Sequence, residues 1–150
     1  MTIMEKVLAL HDVDLFGLMD TEELSILATI AEEDQFDSHD ELFRKDDPAE
    51  SLYLVLSGEV RVVRDNQEIF VAGPTDALGT LSILDAEPWL FSAIATEPTK
   101  VLRIDRETFL DVIADHQKIT EAILRSLVKK VRNLVNSPLA RVPRREEGET

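Results

Sequence analysis

Leu52-Tyr53-Leu54-Val55-Leu56-Ser57-Gly58-Glu59-Val60-Arg61-Val62 is two strand-forming runs joined by a Ser57-Gly58 turn. In the first run Leu52, Leu54 and Leu56 alternate with Tyr53 and Val55, so both faces are apolar and both are expected to be covered. Val60-Arg61-Val62 is expected to return beside it as a hairpin partner. Working outward, Asp65-Asn66-Gln67 makes a second turn that leads into Ile69-Phe70-Val71, and Pro74-Thr75-Asp76 makes a third. Ser92–Ala95 and Val101–Ile104 are later strands separated at Glu97-Pro98-Thr99. Short strands at near-regular spacing from Phe36 to Ile104 predict a sandwich or jelly roll.

Helices flank this region. Thr2 is placed to cap one through about His11, and Asp20 or Thr21 a second with Leu24, Leu27, Ala28 and Ala31 on one face. Asp105 is placed to cap a helix through about Ala114, with Phe109, Leu110 and Ile113 inward. The last helix is expected over about residues 119–135, stopping before Asn136-Ser137-Pro138. Its apolar stripe Leu124, Leu127, Val131 and Leu134 is widened by Ile123, Val128 and Val135, enough to face its own domain and a partner together. Residues 1–135 therefore form one domain, and 136–150 form a disordered polar tail or linker.

Composition narrows the function classes. The chain has no Cys, so disulfide frameworks and thiolate chemistry are excluded. No run reaches transmembrane length and the N-terminus lacks a secretory apolar region, so a cytoplasmic protein without membrane insertion is expected. The net charge of −14 is uneven. Residues 136–150 balance three Arg against three Glu and residues 118–135 carry +4, which leaves −18 on residues 1–117. So acidic a body repels a nucleic-acid backbone, and no nucleic-acid partner is expected. Catalysis finds little support. His11, His39 and His116 are scattered beside acidic residues, and no nucleophile and base stand at a telling spacing. Asp46-Asp47-Pro48-Ala49-Glu50 lacks the glycine and ligand spacing of a calcium loop and reads as a turn, so no metal site is expected.

One stretch carries a candidate site. Leu78-Gly79-Thr80-Leu81-Ser82-Ile83-Leu84 places a glycine before a short helical run, a geometry that aims backbone amides at an anion. With Asp85-Ala86-Glu87-Pro88-Trp89 it resembles the phosphate cassette of the cyclic nucleotide-binding domain family, which reads roughly Phe-Gly-Glu-Leu-Ala-Leu-Leu and then Pro-Arg-Ser-Ala-Thr. The resemblance extends to Met4–Leu10, Leu15-Phe16, Glu22-Glu23-Leu24, Leu42-Phe43-Arg44, Asp47–Glu50, Leu52–Val62 and Leu102–Phe109. It implies an eight-stranded antiparallel jelly roll, mainly β, with N-terminal helices and a long C-terminal helix. In that family the Glu holds the ribose hydroxyl and the Arg pairs with the cyclic phosphate. Here those positions hold Thr80 and Trp89, and no Lys or Arg occurs between Arg64 and Lys100.

Charge-assisted bonds are worth about 1.5–3 kcal/mol each. Without two of them affinity falls by a factor on the order of hundreds or more. Trp89 and Phe91 are two apart, share a face if extended, and are expected to fill the ligand's space beside Gly79. The candidate ligand-contacting residues are Gly79, Thr80, Leu81, Ser82, Trp89, Phe91 and Ser92. The expected function is a non-enzymatic regulatory or interaction module that docks to a second copy or a partner protein through Leu124, Leu127, Val131 and Leu134. It has no resident cofactor, and a cyclic nucleotide is the one ligand the resemblance implies. The alternative is a working cyclic nucleotide or small-molecule sensor belonging to a larger regulatory or transport protein. An enzyme on a cupin-like jelly roll would need clustered His and acidic metal ligands, which the three His do not form.

Overall fold

Two reciprocal capping boxes start the chain. Thr2 with Glu5 opens α1 (Ile3–His11), and Asp20 with Glu23 opens α2 (Thr21–Ile30), each side-chain oxygen satisfying a free amide of the first turn. The computed structural model describes residues 1–137. After a 3₁₀ turn at Asp14–Phe16 and α2, the strands follow: β1 (Glu32–Phe36), β2 (Glu41–Phe43), β3 (Ser51–Ser57), β4 (Val60–Arg64), β5 (Gln67–Ala72) and β6 (Ala77–Leu78). A short helix α3 (Ser82–Asp85) separates β6 from β7 (Ser92–Ala95) and β8 (Thr99–Asp105), and α4 (Arg106–Asp115) and α5 (Gln117–Val135) complete the described chain. The strands form two antiparallel four-stranded sheets, ordered β1-β8-β3-β6 and β2-β7-β4-β5. This is the expected jelly roll with flanking helices.

Three local expectations are corrected. Val60-Arg61-Val62 is not a hairpin partner of β3. β3 lies between β8 and β6, whereas β4 lies between β7 and β5, so the Ser57-Gly58 turn crosses from one sheet to the other. The reason lies in β3 itself, which needs cover on both faces. Leu52 and Leu54 pack under the helices, and Val55 and Tyr53 face the interior of the roll. Gly58 permits the tight crossing: its φ is +96°, and a Cβ there would stand 2.5 Å from Thr99 Oγ1. Second, the strands begin at Glu32 rather than Phe36. An acidic strand is tolerated at a sheet edge, where Arg103 Nη2 donates to Glu32 Oε1 at 2.8 Å. Third, Asp105 occupies the N-cap of α4 but makes no side-chain cap, because its carboxylate accepts from Ser51 Oγ at 2.8 Å.

Two apolar clusters result. One joins the helices to the β1-β8-β3-β6 sheet through Leu10, Leu27, Leu52, Leu102, Phe109 and Ile119, with Phe16 against Phe109 at 6.1 Å. The other fills the roll and includes Phe43, Val55, Val62, Leu78, Trp89 and Val101. α5 divides along its length. Ile119, Ala122, Ile123 and Ser126 are buried, and Leu127 packs half-buried on its own domain. Leu124, Val128, Val131, Leu134 and Val135 are exposed. Of the expected tail 136–150, residues 138–150 lie outside the described residues.

Candidate functional site

The pairing of Leu78 with Tyr53 brings Gly79 to the end of the roll where β3 begins. Gly79 has φ +93°, and the chain then enters α3, whose first turn closes by Ile83 N–H to the Gly79 carbonyl at 3.1 Å and Asp85 N–H to Leu81 at 3.1 Å. Leu81 is exposed and Ser82 half-buried at the start of α3. Thr80 is half-buried and borders a cavity of about 180 Å³ that is also lined by Asp14, Asp76 and Lys130. Lys130 Nζ stands 3.4 Å from Asp14 Oδ2, so this cavity connects the cassette segment with α5. Ser92 Oγ accepts from the backbone N–H of Lys45 at 2.9 Å, which ties it to the β2–β3 loop.

Trp89 sits at the centre of the site. Its backbone is held twice by the β2–β3 loop, N–H to the Asp47 carbonyl at 3.0 Å and carbonyl from the Asp46 N–H at 2.9 Å. Its side chain is thereby turned into the roll, where it stacks on Phe43 with centroids 3.5 Å apart and planes 8° apart. Tyr53 lies 6.4 Å away, and only 4% of Trp89 is exposed. The ring presses on Gly79 so closely that a Cβ there would stand 2.5 Å from Trp89 Cη2. Phe91 is half-buried, 6.4 Å from Phe43 and edge-on to Phe70 at 6.4 Å. Both residues precede β7 in irregular backbone, so the shared face of a strand does not bring them together. Phe43 does.

A cleft of about 1120 Å³ opens beside this stack. Its floor is Phe43, Tyr53 and Trp89, and its walls are the Asp46–Ser51 loop and the Arg103–Asp111 segment. Trp89 alone of the expected site residues borders it. Arg103 and Arg106 are the cations that sequence reasoning missed. The alternation of β8 separates inward Val101 from Leu102 and Ile104, and it would have aimed Arg103 inward too. No signal in the chain tells which loop stands opposite. Burial opposes the Arg103 charge, but the bond to Glu32 and the fields of Asp105 and Asp34 outweigh it and raise its pKa. Arg106 Nε donates to the Ile83 carbonyl at 3.1 Å, tying α4 to α3. The Tyr53 phenol is pushed above its ordinary value by burial, with Arg103 pulling the other way. Among the described residues no group of His, Cys, Asp or Glu is arranged to hold a metal ion, and no helix is long and apolar enough to cross a membrane.

The family model described as cyclic nucleotide-binding domain matches residues 33–116. The chain belongs to the cyclic nucleotide-binding domain family. It is 33% identical over 101 residues to a CRP-like cAMP-activated global transcriptional regulator of Mycobacterium tuberculosis, covering 64% of this chain and 45% of that protein. It is 29% identical over 137 residues to an uncharacterized NTE family protein of Mycobacterium bovis, covering 91% of this chain and 24% of that one. The chain thus spans less than half the length of these curated relatives. Among solved structures, the N-terminal domain of a transcriptional regulator from Streptomyces coelicolor superposes with a TM-score of 0.79 at 25% identity, covering 86% of this chain and 94% of that one. The catabolite activator protein of Thermus thermophilus superposes at 0.66 with 26% identity, covering 80% and 59%.

Proposed function

We propose that this cyclic nucleotide-binding domain is a non-enzymatic regulatory or interaction module that does not bind cAMP or cGMP in the family's usual way. The observation that carries the reading is the Trp89 ring, stacked on Phe43 at 3.5 Å, almost wholly buried, and in contact with the one glycine of the cassette. A ring held this way takes the space where a ligand would approach the Gly79–Ser82 backbone. Charge supports the same reading. No Lys or Arg lies between Asp65 and Thr99, and the two cations that border the cleft are engaged, Arg103 with Glu32 at 2.8 Å and Arg106 with the Ile83 carbonyl. The domain communicates instead through α5. Leu124, Val128, Val131 and Val135 recur at spacings of four, three and four and are all more than half exposed, with Leu134 beside them. Such a seam fits the corresponding helix of a second copy or of a partner protein. We assign no nucleic-acid contact to this domain, because residues 1–117 carry −18 of the chain's charge.

A small-molecule sensor is the second reading, and the cleft beside Trp89, with Arg103 and Arg106 in its wall, favours it. Titration calorimetry of the purified chain with cAMP and with cGMP separates the two. The expected result is no saturable heat at tens of micromolar ligand. A dissociation constant near one micromolar or below, about −8 kcal/mol, overturns the proposal in favour of the sensor.

A further inference from the structure

Among the described residues β5 is the last strand of its sheet and pairs on one side only, with β4. Ile69, Phe70 and Val71 are 49%, 40% and 43% exposed, so three consecutive large apolar residues of one strand reach solvent. Free edges are ordinarily blunted by short length, by Lys or Pro, or by charge. The other edges of this roll follow that rule. β6 is two residues long, β2 is three residues with an irregular register, and β1 carries Glu32, Glu33 and Asp34. β5 is six residues long and has no Lys, Arg or Pro; its one irregularity is the extra residue Ile69 where the register shifts against Val62 and Val63.

We propose that two copies of this chain meet at β5, edge to edge and antiparallel, joining two four-stranded sheets into one. Self-complementarity and charge both select a second copy as the occupant. With the two-fold axis perpendicular to the sheet at Phe70, Phe70 meets its own copy, Ile69 meets Val71 and Glu68 meets Ala72 of the second copy, and like charges do not meet. The acidic body opposes association of copies almost everywhere else. The strands of this sheet instead carry Arg61 and Arg64 against Glu41 and Glu68, whereas β1 alone brings three carboxylates to the other sheet. Two acidic copies approach at least electrostatic cost through the neutral sheet. A single strand pair about 20 Å long makes a small, reversible interface.

The chain has no native cysteine, so single-cysteine variants cross-link without background. The test uses the full chain carrying Val131→Asp, which removes any association through α5 and keeps this proposal separate from the docking reading above. Under mild oxidation Phe70→Cys is expected to form disulfide-linked dimers at least tenfold faster than Gln67→Cys or the exposed control Leu8→Cys. In the same background without cysteine, sedimentation is expected to show dimer at hundreds of micromolar. Ile69→Lys with Val71→Lys is expected to abolish it with the melting temperature unchanged. Equal cross-linking at positions 70 and 8, a monomer throughout, or a cross-link that forms only to a cysteine placed on α5 overturns the proposal.

Discussion

Replacing Trp89 with Ala removes the ring that fills the end of the roll. A Trp of this burial withdraws about 200 Å² from water. At about 25 cal/mol per Å² that surface is worth roughly 5 kcal/mol, part of which the alanine keeps. The parallel stack on Phe43 adds about 1 kcal/mol beyond its area. The two backbone bonds to Asp46 and Asp47 hold the segment in place, so the space is not expected to collapse. The expected loss is therefore about 3–5 kcal/mol, the range for large-to-small core replacements. Denaturant unfolding followed by far-ultraviolet circular dichroism measures it, with Trp89→Phe as a milder companion should the alanine variant prove too unstable. Trp89 is the chain's one tryptophan, so the parent's emission reports this site alone and is expected to be blue-shifted and poorly quenched. Opening the space is not expected to bring cAMP binding, because Arg103 and Arg106, which border the cleft, are bonded to Glu32 and to the Ile83 carbonyl. A loss under about 1 kcal/mol, or emission typical of a solvated indole, would refute the argument that this ring plugs the roll.

Gly79→Ala must adopt φ +93° and drive a Cβ to 2.5 Å from Trp89 Cη2, and calorimetric melting is expected to show a loss of about 2 kcal/mol or more. Tyr53 is the only tyrosine, so absorbance near 295 nm titrates one phenol, whose midpoint is expected above the ordinary value of 10.0 because burial disfavours the phenolate. The sign follows: the neutral phenol's contribution to stability is complete below about pH 10 and is lost as pH climbs through the raised value, whereas Tyr53→Phe is expected to lack that alkaline loss. Val131→Asp alters a residue that is 59% exposed, so the monomer is expected to keep its melting temperature and to lose association through α5. Unfolding by this substitution would mean that the α5 stripe serves only its own core.

The elements were largely legible in the sequence because their signals are local. Thr2 and Asp20 cap helices where their oxygens reach the first turn, and the Asp65-Asn66 turn makes the β4–β5 hairpin, with both residues at positive φ. Pairing was less legible. The alternation in Leu52–Leu56 says that two faces are covered but not by what, so the turn after it reads as a hairpin when it is a crossing. The acids of Glu32–Asp34 concealed a strand, because polarity marks an edge strand and a loop alike. For the candidate site, Gly79 and Trp89 are brought together, but Ser92 is tied to Lys45, Thr80 faces α5, and Leu81 faces solvent. Arg103 and Arg106 arrive from a separate segment, and only tertiary structure places them beside the stack.

The crossing at Ser57-Gly58 also orders events in time. Because β3 does not fold back on β4, most of the ladder joins distant segments: Glu32 to Arg103, Glu41 to Ile94, Ser51 to Asp105. Topologies dominated by such pairings fold in about milliseconds to seconds. The β4–β5 pair closes through a two-residue turn, and hairpins of that kind form in about 1–10 μs. Through most of a folding attempt this hairpin therefore waits for β7 with both edges bare. The edge of β5 is then available to another chain before the roll has closed. Refolding yield should thus fall as chain concentration rises, and a nascent chain on the ribosome, held apart from its neighbours, escapes that competition.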